Sequence, residues 1–208
     1  MSKQITENVL SKVNSLLGVD ESYKAPARVM EIILDSQKAK TVYADFMKAF
    51  DYDLSYEWFN QYFEDEHADR KNKKQDFTPT SVSNLISEFM GRQQQQGVIY
   101  EPAAGTGSTI IAHWYKETRN YRFPWDYNPL NYLYLCEELS DKTIPFLLFN
   151  LLIRGMNAIV IHGNTLTRET KEVYFCCNVE NQFMCYSDLY IMPHTQEVEK
   201  YYNVKFIN

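Results

Sequence analysis

The stretch from Val98 to Ser108 reads Val-Ile-Tyr-Glu-Pro-Ala-Ala-Gly-Thr-Gly-Ser: an apolar run ends in an acid, turns through two glycines and opens into a helical pattern. A short continuous apolar run closed by turn residues reads as a buried strand, and Ile110, Ile111 and Trp114 beyond it fall on one face of a helix. A strand that passes into a helix through so short a turn points to an α/β sheet, because parallel strands need helical crossovers. Gly105 and Gly107 have no Cβ, so they can take positive φ and let a ligand approach the backbone, while the free N–H groups of the following helix start point outward. The stretch is a binding loop in outline. A ligand-free turn is the alternative, since any α/β protein can use glycines there.

The remainder of the chain reads as a helical segment over 1–75 followed by an α/β domain over 76–208. Val9, Leu10, Val13, Leu16 and Leu17 recur at helical spacing before Gly18. A second helix begins near Pro26 with Val29, Ile32 and Ile33, and a third carries Val42, Phe46, Met47 and Phe50. Asp53 to His67 predicts a fourth helix, dense in rings (Tyr56, Trp58, Phe59, Tyr62, Phe63) and in acids. Such rings could stack bases, but Glu57, Glu64, Asp65 and Glu66 would repel phosphates, so core and partner surface is the preferred reading. Val82, Leu85, Ile86, Phe89 and Met90 predict a helix after Thr78-Pro79-Thr80.

Beyond the glycine turn, Leu133 to Cys136 is a second buried strand that ends in Glu137-Glu138. An acid at the end of the second strand of a nucleoside-binding sheet accepts hydrogen bonds from ribose hydroxyls. Ile144 to Ile153 is a buried helix, and Ala158 to Ile161 a third strand ending in His162-Gly163-Asn164-Thr165-Leu166. Val173 to Cys177 is the fourth strand, leading into Asn178-Val179-Glu180-Asn181. Tyr186 to Met192 predicts one more strand and Tyr201 to Ile207 a last edge strand.

Charge and cysteine usage narrow the function classes. Over 208 residues, 27 Asp and Glu against 21 Lys and Arg give a formal net charge of −6, so the chain offers no general attraction to phosphate backbones. DNA binding therefore needs a local patch, such as the basic run Arg70 to Lys74, or a partner. Cys136, Cys176, Cys177 and Cys185 lack the paired spacing of a zinc site, and no metal is expected. With no secretory signal and no apolar run near the roughly 18 residues that cross a bilayer, reduced thiols in a cytoplasm are the expectation.

Glu-Pro-Ala-Ala-Gly-Thr-Gly-Ser resembles the S-adenosylmethionine (SAM) loop of the amino-group DNA methyltransferases, particularly the modification subunits of type I restriction systems and related N6-adenine methylases. Phe77-Thr78-Pro79, just upstream, resembles the family's [FY]-[TS]-P element. The resemblance implies a Rossmann-like SAM-dependent methyltransferase sheet behind an all-helical N-terminal segment. It also implies a SAM site at Phe77, Thr78, Glu101, Ala103, Gly105, Thr106 and Gly107. Glu138 is the better candidate for the ribose acid, with Glu137 as the fallback. Asn164 stands where the family places an acid facing the adenine amine, and its side-chain carbonyl would accept from that amine.

The sequence departs from the family at the catalytic element. There Asn-Pro-Pro-aromatic follows the fourth strand, and its asparagine and a proline carbonyl accept from the target amine. Asn178 keeps the asparagine without the prolines or the ring, whereas Asn128-Pro129-Leu130 has an asparagine and one proline at the wrong place in the order. The expectation is a SAM-binding, N6-adenine-type methyltransferase-like protein of restriction systems or mobile elements, with weak or partner-dependent activity and DNA recognition through a partner protein. The rival is a catalytically inactive methyltransferase fold that acts by protein–protein contact through its N-terminal helices.

Overall fold

A computed structural model describes residues 2–60, 62–63, 78–89 and 96–207 of the chain. Phe77 and the basic run at 70–74 lie outside the described residues. Helices α1 (Ser2–Leu17), α2 (Ala25–Ile33), α3 (Ser36–Ala49) and α4 (Thr80–Phe89) come first, with no strand among the described residues before Gly97. Pro26 sits in the first turn of α2, where its missing N–H costs nothing. Asp35 caps α3 by accepting from the N–H groups of Gln37 and Lys38.

Over Asp53 to Phe59 the aromatic segment departs from the expected helix, and positions 61 and 64–67 of that expectation lie outside the described residues. Asp53 to Phe59 turn and bend, and only Asn60, Tyr62 and Phe63 are helical among the described residues there. Asp53 is the physical cause: its carboxylate accepts from Ser55 N–H and its carbonyl from the Trp58 indole, and both bonds favour a turn over a helix. The rings themselves are core. Trp58, Phe59, Tyr62 and Phe63 are buried, Phe50 stacks on Trp58 at 4.7 Å, and Phe59 meets Phe146 and Phe149 edge-on. On α4, Val82, Leu85 and Ile86 are exposed and Ser83 is buried, with α4 lying against the next helix.

The sheet contains β1 (Gly97–Glu101), β2 (Tyr132–Glu138), β3 (Ala158–Gly163), β4 (Glu169–Cys177), β5 (Asp188–Ile191) and the short β6 (Lys205–Phe206). Helix α5 (Ser108–Arg119) joins β1 to β2, α6 (Ile144–Ile153) joins β2 to β3, and α7 (Gln196–Tyr202) precedes β6. The last element expected over Tyr201 to Ile207 is therefore a helix end followed by a two-residue strand. Strands β1, β2 and β3 are parallel and adjacent in that order; β4 runs antiparallel to β3, and β5 antiparallel to β4.

Two crossovers that step the same way along a sheet put both helices on one face when handedness is kept. Accordingly, Ile99, Tyr134, Cys136, Val160 and Tyr174 share one core with α5, α6 and the N-terminal helices. All ten residues of α6 are buried, because it lies between the sheet and α2. The other face carries a smaller core in which Ile159, Ile161 and Val173 meet Tyr202, Val204 and Phe206. Toward β1 that face is open: Val98 is 67% and Tyr100 48% exposed.

This order departs from the expected Rossmann-like sheet, which is doubly wound. In that fold the fourth strand lies beside the first, and the order reverses at the crevice where ligands bind. Here β4 lies beside β3, the order does not reverse, and among the described residues β1 is an edge.

Candidate functional site at the carboxyl ends of three parallel strands

Three strand ends bring the sequence-predicted residues together. At the end of β1 the chain turns through Gly105 and Gly107, whose φ values of 56° and 101° are in the left-handed region, and Gly107 begins α5. A Cβ on Gly105 would meet nothing within 4 Å, so the outer side of the loop is open space. A Cβ on Gly107 would come within 3.1 Å of Leu147, so its inner side is packed on α6.

Glu138, at the end of β2, grips this turn. Its Oε2 accepts from Gly105 N–H at 2.8 Å and its Oε1 from Ser140 N–H at 2.8 Å. Each carboxylate oxygen keeps a second lone pair, so both can still accept from a hydroxyl. Glu137 is committed elsewhere. Arg168 holds it through two hydrogen bonds of 2.7 and 3.0 Å, and the Tyr100 hydroxyl donates to it at 2.9 Å. Arg168 also reaches the Tyr202 and Asn203 carbonyls, so the Glu137 side chain anchors the C-terminal segment, while its backbone carbonyl accepts from Ala104 N–H of the loop at 2.9 Å.

The end of β3 completes the edge. Thr165 donates to the Pro102 carbonyl at 2.9 Å, which joins the third loop to the first. Asn164 Oδ1 accepts from Leu166 N–H and Thr167 N–H at 2.9 and 3.2 Å. Both of its lone pairs are thereby used, so the carbonyl cannot take the adenine amine in this conformation. Asn164 shapes the tight turn into β4. His162 contacts Asp141 at 3.0 Å while burial pulls its pKa down, a packing role at the strand end.

Glu101 is half-buried, its pKa raised by desolvation, with a long 3.4 Å contact from Ala103 N–H. Ala103 is exposed on the loop, whereas the Thr106 hydroxyl is buried and faces inward. The Thr78 carbonyl accepts from Asn60 at 3.0 Å, and no hydrogen bond joins Thr78 to the glycine loop among the described residues.

Behind the loop lies a buried polar network that sequence reasoning missed. Asn150, the one polar residue in α6, donates to the Thr106 carbonyl at 2.9 Å and to Glu57 Oε1 at 2.8 Å. Arg154, fully buried, donates to Asn150 Oδ1 at 2.9 Å and to the Leu54 and Tyr56 carbonyls. Burial raises Glu57 to about 7 and lowers Arg154 to about 10. The signal was present: one amide inside an otherwise apolar, wholly buried helix must find buried partners.

Asn178 does not belong to this edge. Because β4 is antiparallel to β3, Cys176 pairs with Ala158 at the start of β3, and Asn178 falls at the opposite edge of the sheet from Glu138 and Asn164. It is buried there and acts as a brace. Its amide donates to the Gly155 and Gln182 carbonyls at 3.0 and 2.9 Å, and its N–H to Asn157 Oδ1 at 2.8 Å. Asn128 is at the same edge, capping a turn through Leu130 N–H. The direction of β4 therefore places Asn178 away from the loops that carry Gly105, Glu138 and Asn164.

No group of three or more His, Cys, Asp or Glu side chains able to hold a metal occurs among the described residues, and no described helix is long and apolar enough to cross a membrane. The family model described as N-6 DNA Methylase matches residues 52–191. Among solved structures, the methyltransferase subunit of a type I restriction-modification system from Streptococcus thermophilus is 20% identical, with a TM-score of 0.38. The match covers 77% of this chain and 39% of that subunit, so the chain spans about two fifths of that subunit's length. No curated protein matches the chain.

Proposed function

We propose that this chain, which belongs to the N-6 DNA methylase family, is a SAM-binding, methyltransferase-like protein whose own residues hold the cofactor while another chain supplies the groups needed for methyl transfer to adenine in DNA. The observation that carries the reading is the bond between Glu138 and Gly105, which makes the acid of β2 and the glycine turn of β1 one rigid unit with open space above it. The donor and acceptor set fits an adenosine derivative. Both Glu138 oxygens retain a lone pair for ribose hydroxyls, and Gly105 leaves the backbone approachable by the amino-acid end. Glu101 and Ala103 border that end, and Phe77 and Thr78 are assigned to it by the family motif.

SAM, when bound, supplies a methyl group on a sulfonium centre. The chain's residues hold and orient it: Glu138 at the ribose, the 103–107 turn beside the amino-acid end, and the Asn164 turn beside the base. Amine methylation also needs acceptors that fix the target nitrogen in line. Asn178, the first candidate for that role, sits at the other edge together with Asn128, so the reading assigns the acceptors and DNA recognition to a partner. The open edge of β1, with Val98 and Tyr100, and the exposed α4 residues Val82, Leu85 and Ile86 are the surfaces such a partner would cover.

The sheet order also favours a second reading, in which the protein acts only through protein–protein contact and never in methyl transfer. The two are separated by incubating the purified chain with SAM carrying a labelled methyl group and unmethylated DNA, alone and with a cell extract from its host. The proposal expects no transfer alone and N6-methyladenine, dependent on the chain and on Gly105, in the extract. No dependence on the chain in the extract would favour the second reading.

A further inference from the structure

A cavity of about 410 Å3 lies at the opposite edge of the sheet, lined by Tyr115, Thr118, Arg119, Tyr121, Arg122 and Phe183. It is within the roughly 300–1,000 Å3 range of small-molecule sites. The end of α5 and the loop that follows form one wall, and Phe183 of the β4–β5 connection forms the other. Tyr115, Tyr121 and Phe183 are half-buried and supply ring surface, while both arginines are exposed. The rings are held in place. Phe183 lies against Trp114 and Tyr127, the Tyr121 hydroxyl bonds that of Tyr132 at 3.1 Å, and Tyr115 accepts from Arg119 at 3.1 Å.

Charge decides what such a cavity takes. The chain is net acidic, yet the lining carries two guanidinium groups and no carboxylate. Glu117, the nearest acid on α5, is buried and turned inward, where it accepts from Tyr132 and Asn120. Beside the cavity, Arg122 lies over the Phe123 ring at 5.3 Å, and Phe123 stacks on Trp125 at 4.9 Å with the planes 6° apart. Trp125 is 72% exposed, so a free aromatic face continues outward from the arginines.

Planar faces next to paired guanidinium groups suit a ligand that joins an aromatic ring to an oxyanion. We propose that this cavity is a nucleotide-binding site separate from the cofactor edge: the base stacks among Tyr115, Tyr121 and Phe183, and Arg119 and Arg122 hold the phosphate. The nucleotide is either free or one unit of a single strand; in the second case the Phe123–Trp125 pair stacks the next base. The inference does not depend on SAM binding.

Calorimetric titration of the full chain with thymidine 5′-monophosphate, with an oligothymidylate and with inorganic phosphate tests it. Saturable binding of at least one nucleotide probe is expected, weakened at least about tenfold in Arg119→Ala/Arg122→Ala. Both side chains are exposed, so the variant should melt with the wild type. The Gly105→Asp variant should keep the binding, which separates this site from the cofactor loop. Tighter binding of the oligomer than of the monophosphate would identify a single strand as the ligand; equal binding would identify the free nucleotide. No binding by either nucleotide at millimolar concentration, binding unaffected by the double substitution, or inorganic phosphate binding as well as the nucleotides would each overturn the proposal.

Discussion

Gly105 N–H donates to Glu138 Oε2 at 2.8 Å across the ends of two adjacent parallel strands, so one carboxylate at the end of β2 fixes the glycine turn that follows β1. Glu138→Ala removes the brace and the proposed ribose acceptor together. Hydrogen bonds to a charged group contribute roughly 1.5–3 kcal/mol, so SAM affinity should fall by about 10- to 100-fold, with a smaller loss in Glu138→Gln. Unchanged affinity in the alanine variant, measured by calorimetry, would remove Glu138 from the site.

Gly105→Asp should abolish SAM binding without unfolding the chain. The new side chain meets nothing within 4 Å, so the cost to the fold is the left-handed backbone alone, about 1 kcal/mol for aspartate. Its carboxylate then occupies the space assigned to the ligand. A normal melting curve with no SAM-induced shift is the expected pair of observations.

The buried Glu57 predicts a pH dependence. Its carboxyl is raised from 4.5 to about 7 by burial, so between those values the folded chain holds a proton that the unfolded chain has lost. Stability should therefore fall as pH rises through that window and level off above about 7, by up to roughly 3 kcal/mol from this group. His113, lowered from 6.5 to about 4 by burial, acts with the opposite sign and only below 6.5. Glu57→Gln isolates the first effect: the variant should gain on the wild type between pH 5 and 8 in denaturant melts. A constant difference across that range would contradict the assignment.

Asn178→Ala should act on stability alone. The side chain is 2% exposed and donates to two backbone carbonyls that would be left unsatisfied, a loss of about 2–3 kcal/mol. SAM affinity, read at a temperature where the variant stays folded, should match the wild type, because Asn178 lies at the edge opposite Glu138.

What the sequence made legible follows from where local pattern decides structure. The glycine turn, the three parallel strands and the wholly buried helix at Ile144 to Ile153 come directly from apolar runs and turn residues. The direction of β4 does not, because an apolar run reads the same either way. The clue was the connection: only residues 164–168 separate β3 from β4, whereas a parallel crossover needs about a dozen residues or more. That shortness forces a hairpin, and the hairpin carries Asn178 to the edge opposite Glu138. Glu57 and Arg154 are 97 positions apart, and their meeting with Asn150 depends on how the N-terminal helices pack on α6, which no local pattern encodes.

The central claim is that the cofactor binds where the ends of β1, β2 and β3 meet. It is tested most directly by mapping amide chemical shifts in the isotope-labelled chain during titration with S-adenosylhomocysteine, the demethylated product. Saturable shifts are expected at residues 101–108, 138–140 and 164–167, with little change at 178–187. The same titration with no shifts at 101–108, or with the largest shifts at 178–187, would contradict the account.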